Sequence, residues 1–158
     1  MTNLGLTCIS EQLKLKDKKK YSFQTMTRKR FNDLCSTSGR GEAIKQLSER
    51  ILHNVIATQH ILEHCRQIGL SHYRLSSNLF PLVTDQTLDI DLDSLTNINW
   101  IKTELTLIGM DSHEGGLQGI KGIPRITIGM HPDQFNVLAS SNETSVNKTI
   151  AELNMQAW

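Results

Sequence analysis

The side chains most able to do chemistry stand where predicted strands end. Residues 125–135 read RITIGMHPDQF, an alternating apolar run that ends on a histidine. In a strand, the isoleucines and Met130 would share one face, whereas Thr127, Gly129 and His131 would share the other. Ligands of α/β proteins bind at the carboxyl ends of strands, and an imidazole placed there can bind a metal ion.

A second predicted strand, residues 72–77, ends in a similar way. Arg74 and Ser76 would share its polar face, and the loop that follows leads to Asp85. Because the carboxyl ends of parallel strands meet at one edge, these groups and His131 would form a polar rim that could bind a metal ion. The residues alone leave structural roles open: an internal ion pair for Arg74, a turn for Asp85 and an unspecified structural role for His131.

A third motif suggests zinc but has a simpler interpretation. HILEH at residues 60–64 fits the H-x-x-E-H signature of inverted metalloproteases. In a helix, His53, His60 and His64 point within about 20° of one direction, nearly opposite to the apolar side chains. We therefore interpret these histidines as the solvent face of an amphipathic helix.

The elements that would position these residues alternate along the chain. We predict strands at residues 3–8, 72–77 and within 125–135, and helices at 42–68, about 95–108 after a cap at Asp93-Ser94, and from the caps at 140–142 through Leu153. Residues 9–41 are predicted to be a long basic loop with one helical turn near 28–34, and residues 109–122 a Gly-rich inserted loop. The alternating order indicates parallel strands with right-handed crossovers, hence an α/β fold.

Composition restricts the class of protein. The length of 158 residues suits one domain, and 38% hydrophobic with 21% charged residues is typical of globular proteins. No run approaches the roughly 18 apolar residues that span a bilayer, and the N-terminus lacks signal-peptide features. Three widely spaced cysteines favour a reducing compartment, so we expect a cytoplasmic protein without a membrane partner.

Charge is informative in its distribution. A net charge of +1 gives no general argument for nucleic-acid binding. Basic residues nevertheless form a local cluster: Lys14, Lys16, Lys18, Lys19, Lys20, Arg28, Lys29 and Arg30. Such a cluster is either a solvated loop or a phosphate-binding surface, depending on where the fold places it.

The motifs together resemble the UV damage endonucleases, metal-dependent enzymes that nick DNA beside ultraviolet photoproducts. The matching segments are LGLTC at 4–8, TMTRKRF at 25–31, ILHN at 51–54, YRLSSNLFPLVT at 73–84, HPDQF at 131–135 and SVNKTIAEL at 145–153. That family has a TIM barrel similar to those of AP endonucleases and xylose isomerase. Because a complete barrel has eight strand–helix units in about 250 residues, the resemblance implies that residues 1–158 are the N-terminal part of one barrel domain, with about three units.

The resemblance also implies roles for single residues. His131 would be a ligand of a divalent metal cluster, usually of manganese, and Asp85 stands where the family commonly has a histidine ligand. Gln134 and Phe135 match the pair that probes distorted DNA. On the catalytic face of a barrel, the basic residues would meet phosphates. The predicted DNA-binding residues are Gln134, Phe135, Arg74, Lys18, Lys19, Lys20, Arg28 and Arg30.

The function predicted from this resemblance is hydrolysis of a phosphodiester bond beside ultraviolet photoproducts in double-stranded DNA, as part of excision repair. Most catalytic residues are expected beyond residue 158, so the chain alone is expected to be incomplete, with a C-terminal fragment as a partner that would complete the barrel. Two alternatives stay open. The chain could be a non-catalytic DNA-binding remnant, or another metal-dependent TIM-barrel enzyme of the AP endonuclease or sugar isomerase type.

Overall fold

A computed structural model describes residues 4–112, 126–131 and 138–156. Within them, three parallel strands in the order β1-β2-β3 alternate with helices, so the predicted α/β class and the predicted parallel strands are confirmed. The elements are β1 Gly5–Thr7, α1 Glu11–Lys16, α2 Lys18–Tyr21, α3 Arg28–Ser38, α4 Arg40–Gln67, β2 His72–Ser76, α5 Ile98–Ser112, β3 Thr127–His131 and α6 Glu143–Gln156, with short 3₁₀ turns at Ser77–Leu79 and Leu92–Ser94. No helix in these ranges is long and apolar enough to span a bilayer.

The two faces of the sheet differ in chemistry. Tyr73 pairs in register with Leu6 and Ile128, and its fully buried ring packs in the main core. On the other face, Arg74 pairs with Thr7 and Gly129, and all three are exposed. We call this polar side of the sheet the open face; its residues are Gly5, Thr7, His72, Arg74, Ser76, Thr127, Gly129 and His131. The alternation read from the sequence is thereby confirmed.

Helix α4 is the main support of the apolar face. Leu47, Ile51, Val55 and Cys65 recur at helical spacing and are fully buried, and burial of a side chain of this size contributes about 1.5–3 kcal/mol. The helix ends where the sequence predicted, since Gly69 adopts a φ of 75° and lets the Leu70 amide donate to the Cys65 carbonyl at 2.9 Å. This packing fixes β2 against the helix.

The predicted long loop at residues 9–41 is wrong, because three helices occupy most of it, whereas the helical turn predicted near 28–34 is confirmed as part of α3. Their N-termini are capped by the side chains of Ser10, Asp17 and Thr27, each of which accepts a backbone hydrogen bond at 3.1–3.3 Å. α3 buries only Phe31 and Leu34. Helices this short or this polar show too few apolar repeats to be recognised by periodicity, and their stability depends on caps and on tertiary packing.

The predicted solvent face of α4 is also wrong, since α1, α2 and the residue that follows them cover its histidines. The His53 Nε2 atom lies 3.0 Å from the Ser22 carbonyl oxygen, and the His60 ring meets Tyr21 edge-on at 5.8 Å. His64 is buried, with its Nε2 atom 3.3 Å from a side-chain oxygen of α1. Burial and the nearby lysine of α2 lower the pKa of His60. The histidine side of α4 is therefore a packing surface and not a zinc site.

Helix α5 differs from its prediction at both ends. It starts at Ile98, because the predicted cap Asp93-Ser94 forms part of a 3₁₀ turn. It continues to Ser112, so Gly109 lies inside the helix and the predicted inserted loop cannot begin before residue 113. Residues 113–125 lie outside the described part of the chain. The predicted caps of α6 are confirmed, since Asn142 accepts the Ser145 amide at 3.3 Å.

Candidate functional site

The carboxyl edge of the sheet brings Ser76 and His131 together. They are paired in register at the ends of β2 and β3 and belong to the open face. Ser76 is buried, and its Oγ accepts the Asn78 amide at 3.1 Å, which starts the turn after β2. His131 is half-buried, so its imidazole remains accessible to a ligand at this edge. The predicted position of His131 at a polar strand end is confirmed.

The end of β1 carries backbone strain. Cys8 adopts a φ of 61°, and the tight turn around it is closed by the Ile9 amide donating to the Thr7 carbonyl at 2.7 Å. The Cys8 carbonyl accepts a hydrogen bond from the Tyr73 hydroxyl at 2.8 Å. Burial raises the pKa of the Cys8 thiol, although a hydrogen bond with Ser76 opposes this, so the thiol is not an activated nucleophile. The strain shapes the exit of the chain from the sheet.

Two arginines hold the loop that follows β2. Arg28, at the start of α3, donates from Nε to Asp85 Oδ2 at 2.7 Å. Arg40, at the start of α4, donates to the carbonyl oxygens of Leu88 at 2.9 Å and Asp89 at 2.6 Å. The Arg40 guanidinium also lies over an aromatic ring of α3. The loop is thus fixed against the N-terminal ends of both helices.

Both oxygens of the Asp85 carboxylate have hydrogen-bond partners. Its Oδ1 accepts the Thr87 amide at 3.1 Å and the Thr87 hydroxyl at 2.6 Å, while Oδ2 is bound by Arg28. Partial burial raises the pKa of Asp85, but the hydrogen bonds from Thr87 and Arg28 outweigh it, so the pKa lies below its usual value. The carboxylate is therefore charged at neutral pH.

Asn54 is a positioning residue that the sequence analysis did not single out. It is fully buried on α4, where its Oδ1 accepts the Gln24 amide at 2.7 Å. Its Nδ2 donates to the carbonyl oxygens of Gln24, Asn78 and Leu79 at 3.0, 3.1 and 3.3 Å. One amide thus joins the segment before α3 to the turn after β2. The available signal was an amide within the apolar stripe of a helix, where an unpaired polar group would be costly.

The predicted DNA-binding residues that the structure describes lie on three elements, β2, α3 and α2. Arg74 is exposed on the open face, and Arg28 and Arg30 are exposed at the start of α3. The three lysines at residues 18–20 are exposed on α2. This helix and the residue after it contact the histidine side of α4, and not the opposite side, where Val55 is buried in the core. Residues 134 and 135, a glutamine and a phenylalanine, lie outside the described part of the chain, so their predicted role stays a prediction.

The donor set fits a metal centre only in part. His131 offers an accessible imidazole at the strand ends, which is a suitable metal ligand. Both oxygens of Asp85 already have partners, one of them a cation. Residues 4–112, 126–131 and 138–156 contain no group of three or more His, Cys, Asp or Glu side chains that could bind one ion. A centre built on His131 would need donors from outside these ranges.

Comparisons with known proteins converge on one family. A family model described as UV-endonuclease UvdE matches residues 2–157. A UV DNA damage endonuclease of Nostoc sp. (strain PCC 7120 / SAG 25.82 / UTEX 2576) is 32% identical over 154 residues, which are 98% of this chain and 41% of that protein. The crystal structure of SacUVDE matches with a TM-score of 0.59 and 22% identity, over 99% of this chain and 44% of that one. The chain thus spans well under half the length of these two relatives.

Proposed function

The chain belongs to the UV-endonuclease UvdE family, and on this premise we propose that it acts in the metal-dependent incision of DNA beside ultraviolet photoproducts. The observation that carries the proposal is the family match over residues 2–157. The expected partner is double-stranded DNA that carries ultraviolet lesions. The open face supports this assignment, because it leaves polar groups and His131 accessible at the strand ends where α/β enzymes bind their substrates.

In this proposal His131 is one ligand of a divalent ion, for which we propose manganese. When bound, such an ion would make a water molecule more acidic and stabilise charge on the phosphoryl and leaving oxygens. The turn after Ser76, which begins with the hydrogen bond from the Asn78 amide, would keep the neighbouring strand end in place beside His131. Gln134 and Phe135, three and four residues further along the chain, are proposed to probe the DNA where ultraviolet damage has weakened base pairing.

We further propose that the open face lines the interior of a TIM barrel that a further part of the protein completes. Among residues 4–112, 126–131 and 138–156, the sheet has one uncovered polar face, and its edge strands β1 and β3 each pair on one side only. Such a sheet is typical of an element that pairs with more strands. The Nostoc relative extends well beyond the segment matched here, which supports a larger enzyme with additional donors. Incision is therefore expected when such a segment is present.

The test measures both DNA binding and nicking. The full chain is incubated with ultraviolet-irradiated or untreated supercoiled plasmid in manganese buffer, alone and with the part of the Nostoc relative outside the match. We expect preferential binding of irradiated DNA in both arms and nicking in the complemented arm. Nicking should stop with a chelator and with His131→Ala, whereas Lys45→Ala, an exposed charge-loss control on α4, should nick normally.

The outcomes separate the functions considered. A preference for irradiated DNA without nicking in either arm would favour a non-catalytic DNA-binding protein. Nicking of untreated and irradiated plasmid at equal rates would contradict a role at ultraviolet damage. Nicking by the chain alone would mean that its own residues complete the metal centre, for example through self-association.

A further inference from the structure

We propose that Asp85 positions Arg28 for contact with a DNA backbone phosphate and is not itself a metal ligand. This inference rests on the proposed function, because the phosphate belongs to the DNA that the family acts on. It replaces the metal-binding role predicted for Asp85 and gives a structural basis to the DNA-binding role predicted for Arg28.

The geometry of the ion pair leaves one edge of the arginine fork available. Arg28 uses Nε to bind Asp85 Oδ2 at 2.7 Å. Within the described ranges, its Nη1 and Nη2 atoms have no hydrogen-bond partner, and the side chain is 56% exposed. A guanidinium presents its donors as a planar fork that matches two oxygens of a phosphate. Arg28 can therefore bind a phosphate while the carboxylate still holds it.

The carboxylate is well placed to act as an anchor. Its side chain is only 14% exposed, and Thr87 holds Oδ1 through two hydrogen bonds, so Asp85 cannot rotate freely. Arg40 fixes the same loop three and four residues further on, through the carbonyl oxygens of Leu88 and Asp89. The anchor is thus tied to the starts of α3 and α4. Holding the long Arg28 side chain in advance reduces the entropy that is lost on binding.

The same contacts disfavour a metal ion at Asp85. A divalent cation would have to displace Arg28 or lie beside it, and the two positive charges would repel each other. At Oδ1 it would have to displace a hydrogen bond with Thr87, because that oxygen already accepts two. Exposed Lys29 and Arg30 add further positive charge at this point of the surface, which suits an anionic ligand and not a cation.

The test uses the sign of an effect on DNA affinity. Dissociation constants of the full chain for irradiated and untreated duplexes are measured by fluorescence anisotropy between about 50 and 300 mM KCl. Over this range of salt, the affinity of a protein that makes several phosphate contacts falls by about two decades. Asp85→Asn removes a negative charge near DNA, so simple electrostatics would tighten binding. The anchor model instead expects binding about three- to tenfold weaker on both duplexes, because Arg28 loses its partner.

Variants of the arginine complete the design. Arg28→Ala is expected to weaken binding about five- to tenfold and to reduce the slope of log affinity against log salt by about one phosphate contact. Arg28→Lys should keep most of the slope but lose affinity, since lysine cannot form the planar fork. Asp85→Asn should cause no further loss in the Arg28→Ala background. Lys45→Ala, an exposed charge-loss control on α4, should change affinity less than twofold.

A metal-binding arm distinguishes the anchor from a ligand. Manganese affinity, measured by electron paramagnetic resonance, should be unchanged in Asp85→Asn and should fall in His131→Ala. Tighter DNA binding by Asp85→Asn, or a tenfold loss of manganese affinity in that variant, would overturn the inference. So would a complete lack of DNA binding by the chain. Equal affinity for irradiated and untreated DNA, with the variant effects intact, would contradict the preference for ultraviolet damage in the proposed function but not the contact of Arg28 with a DNA phosphate.

Discussion

Removal of the Asn54 side chain should show how much of the fold depends on one buried amide. Asn54 lies in the middle of α4 with no exposed surface, and it links the Gln24 backbone to the turn at Asn78 and Leu79. In Asn54→Ala, the Gln24 amide would lose its hydrogen-bond acceptor, and the three carbonyl oxygens bound by Nδ2 would lose their donor. We expect a large loss of stability without loss of the surrounding helices.

The magnitude follows from the contacts. The Nδ2 group has two hydrogens, which the three carbonyl oxygens share, so the side chain makes the equivalent of about three hydrogen bonds. At about 0.5–1.5 kcal/mol net for each, their loss costs roughly 3 kcal/mol. Alanine is the better helix former and returns about 0.5 kcal/mol. The free energy of unfolding of Asn54→Ala should therefore fall by about 2.5 kcal/mol, a large part of the usual 5–15 kcal/mol.

The assay is urea unfolding, monitored by circular dichroism at 222 nm. The slope of the unfolding free energy against urea concentration reports the surface that is exposed on unfolding. Gln46→Ala is the matched control, because it also removes a helical amide, which here donates only to the partly exposed Glu42 at 3.0 Å. The control should change stability by less than about 0.5 kcal/mol. Hydrogen exchange of the Gln24 amide should accelerate in Asn54→Ala and not in Gln46→Ala.

An isosteric variant separates the donor from the acceptor. Asn54→Asp keeps the shape and the acceptor for Gln24, but an ionised carboxylate cannot donate to the three carbonyl oxygens. Burial raises the pKa of such a carboxyl in the folded state, so stability should be lowest at neutral pH and recover as the pH falls toward about 4. A loss below about 1 kcal/mol in Asn54→Ala, with the urea slope unchanged, would refute the reasoning, because the amide would then not be the link between these segments.

Three further outcomes are expected. Partial burial raises the pKa of Asp85, but hydrogen bonds from Thr87 and Arg28 outweigh it, so the pKa in the folded state is lowered. The ion pair therefore stabilises the fold above the unfolded pKa of about 3.9, and this stabilisation is lost as the pH falls through the folded pKa. The difference in unfolding free energy between the wild type and Arg28→Met should shrink as the pH falls from about 5 toward about 3, the range in which a carboxyl titrates. A difference that stays constant over this range would contradict the pairing of Arg28 with Asp85. Burial raises the pKa of Cys65 to about 11, so this thiol should not react with an aromatic disulfide reagent in the native protein, and Cys65→Ala should leave the native thiol count unchanged. Tyr73→Phe should cost about 1 kcal/mol in urea unfolding, since the Cys8 carbonyl loses its donor, and an effect near zero would show that this hydrogen bond does not support the turn.

Local sequence features were sufficient for several elements. The apolar repeat of α4 together with Gly69 placed a helix and its end, because helical period and a left-handed glycine are both written in neighbouring residues. The alternation around His131 gave both faces of β3, since side chains in a strand must alternate. Strand–helix order alone indicated the parallel sheet, because parallel strands need a crossover between them.

Features that depend on short or polar segments were not accessible in this way. The three helices within residues 9–41 have at most two buried side chains each, and α2 has none, so their apolar pattern is too short to identify. Once folded, α1, α2 and the following Ser22 cover the three histidines of α4, and a face that looked solvated from α4 alone becomes an interface. The exposure of a helix face is set by its neighbours and not by its own period.

The sequence by itself determined the α/β order, the strong amphipathic helix and the placement of His131 at a strand end, and its motifs indicated the family. Only the tertiary structure decided that Asp85 binds Arg28 and that Asn54 joins two distant segments. The physical reason is separation along the chain, since Arg28 and Asp85 are 57 residues apart and Asn54 and Gln24 are 30 apart. Charge and hydrogen-bonding capacity are properties of a residue, whereas the choice of partner is made by the packing that brings two residues together.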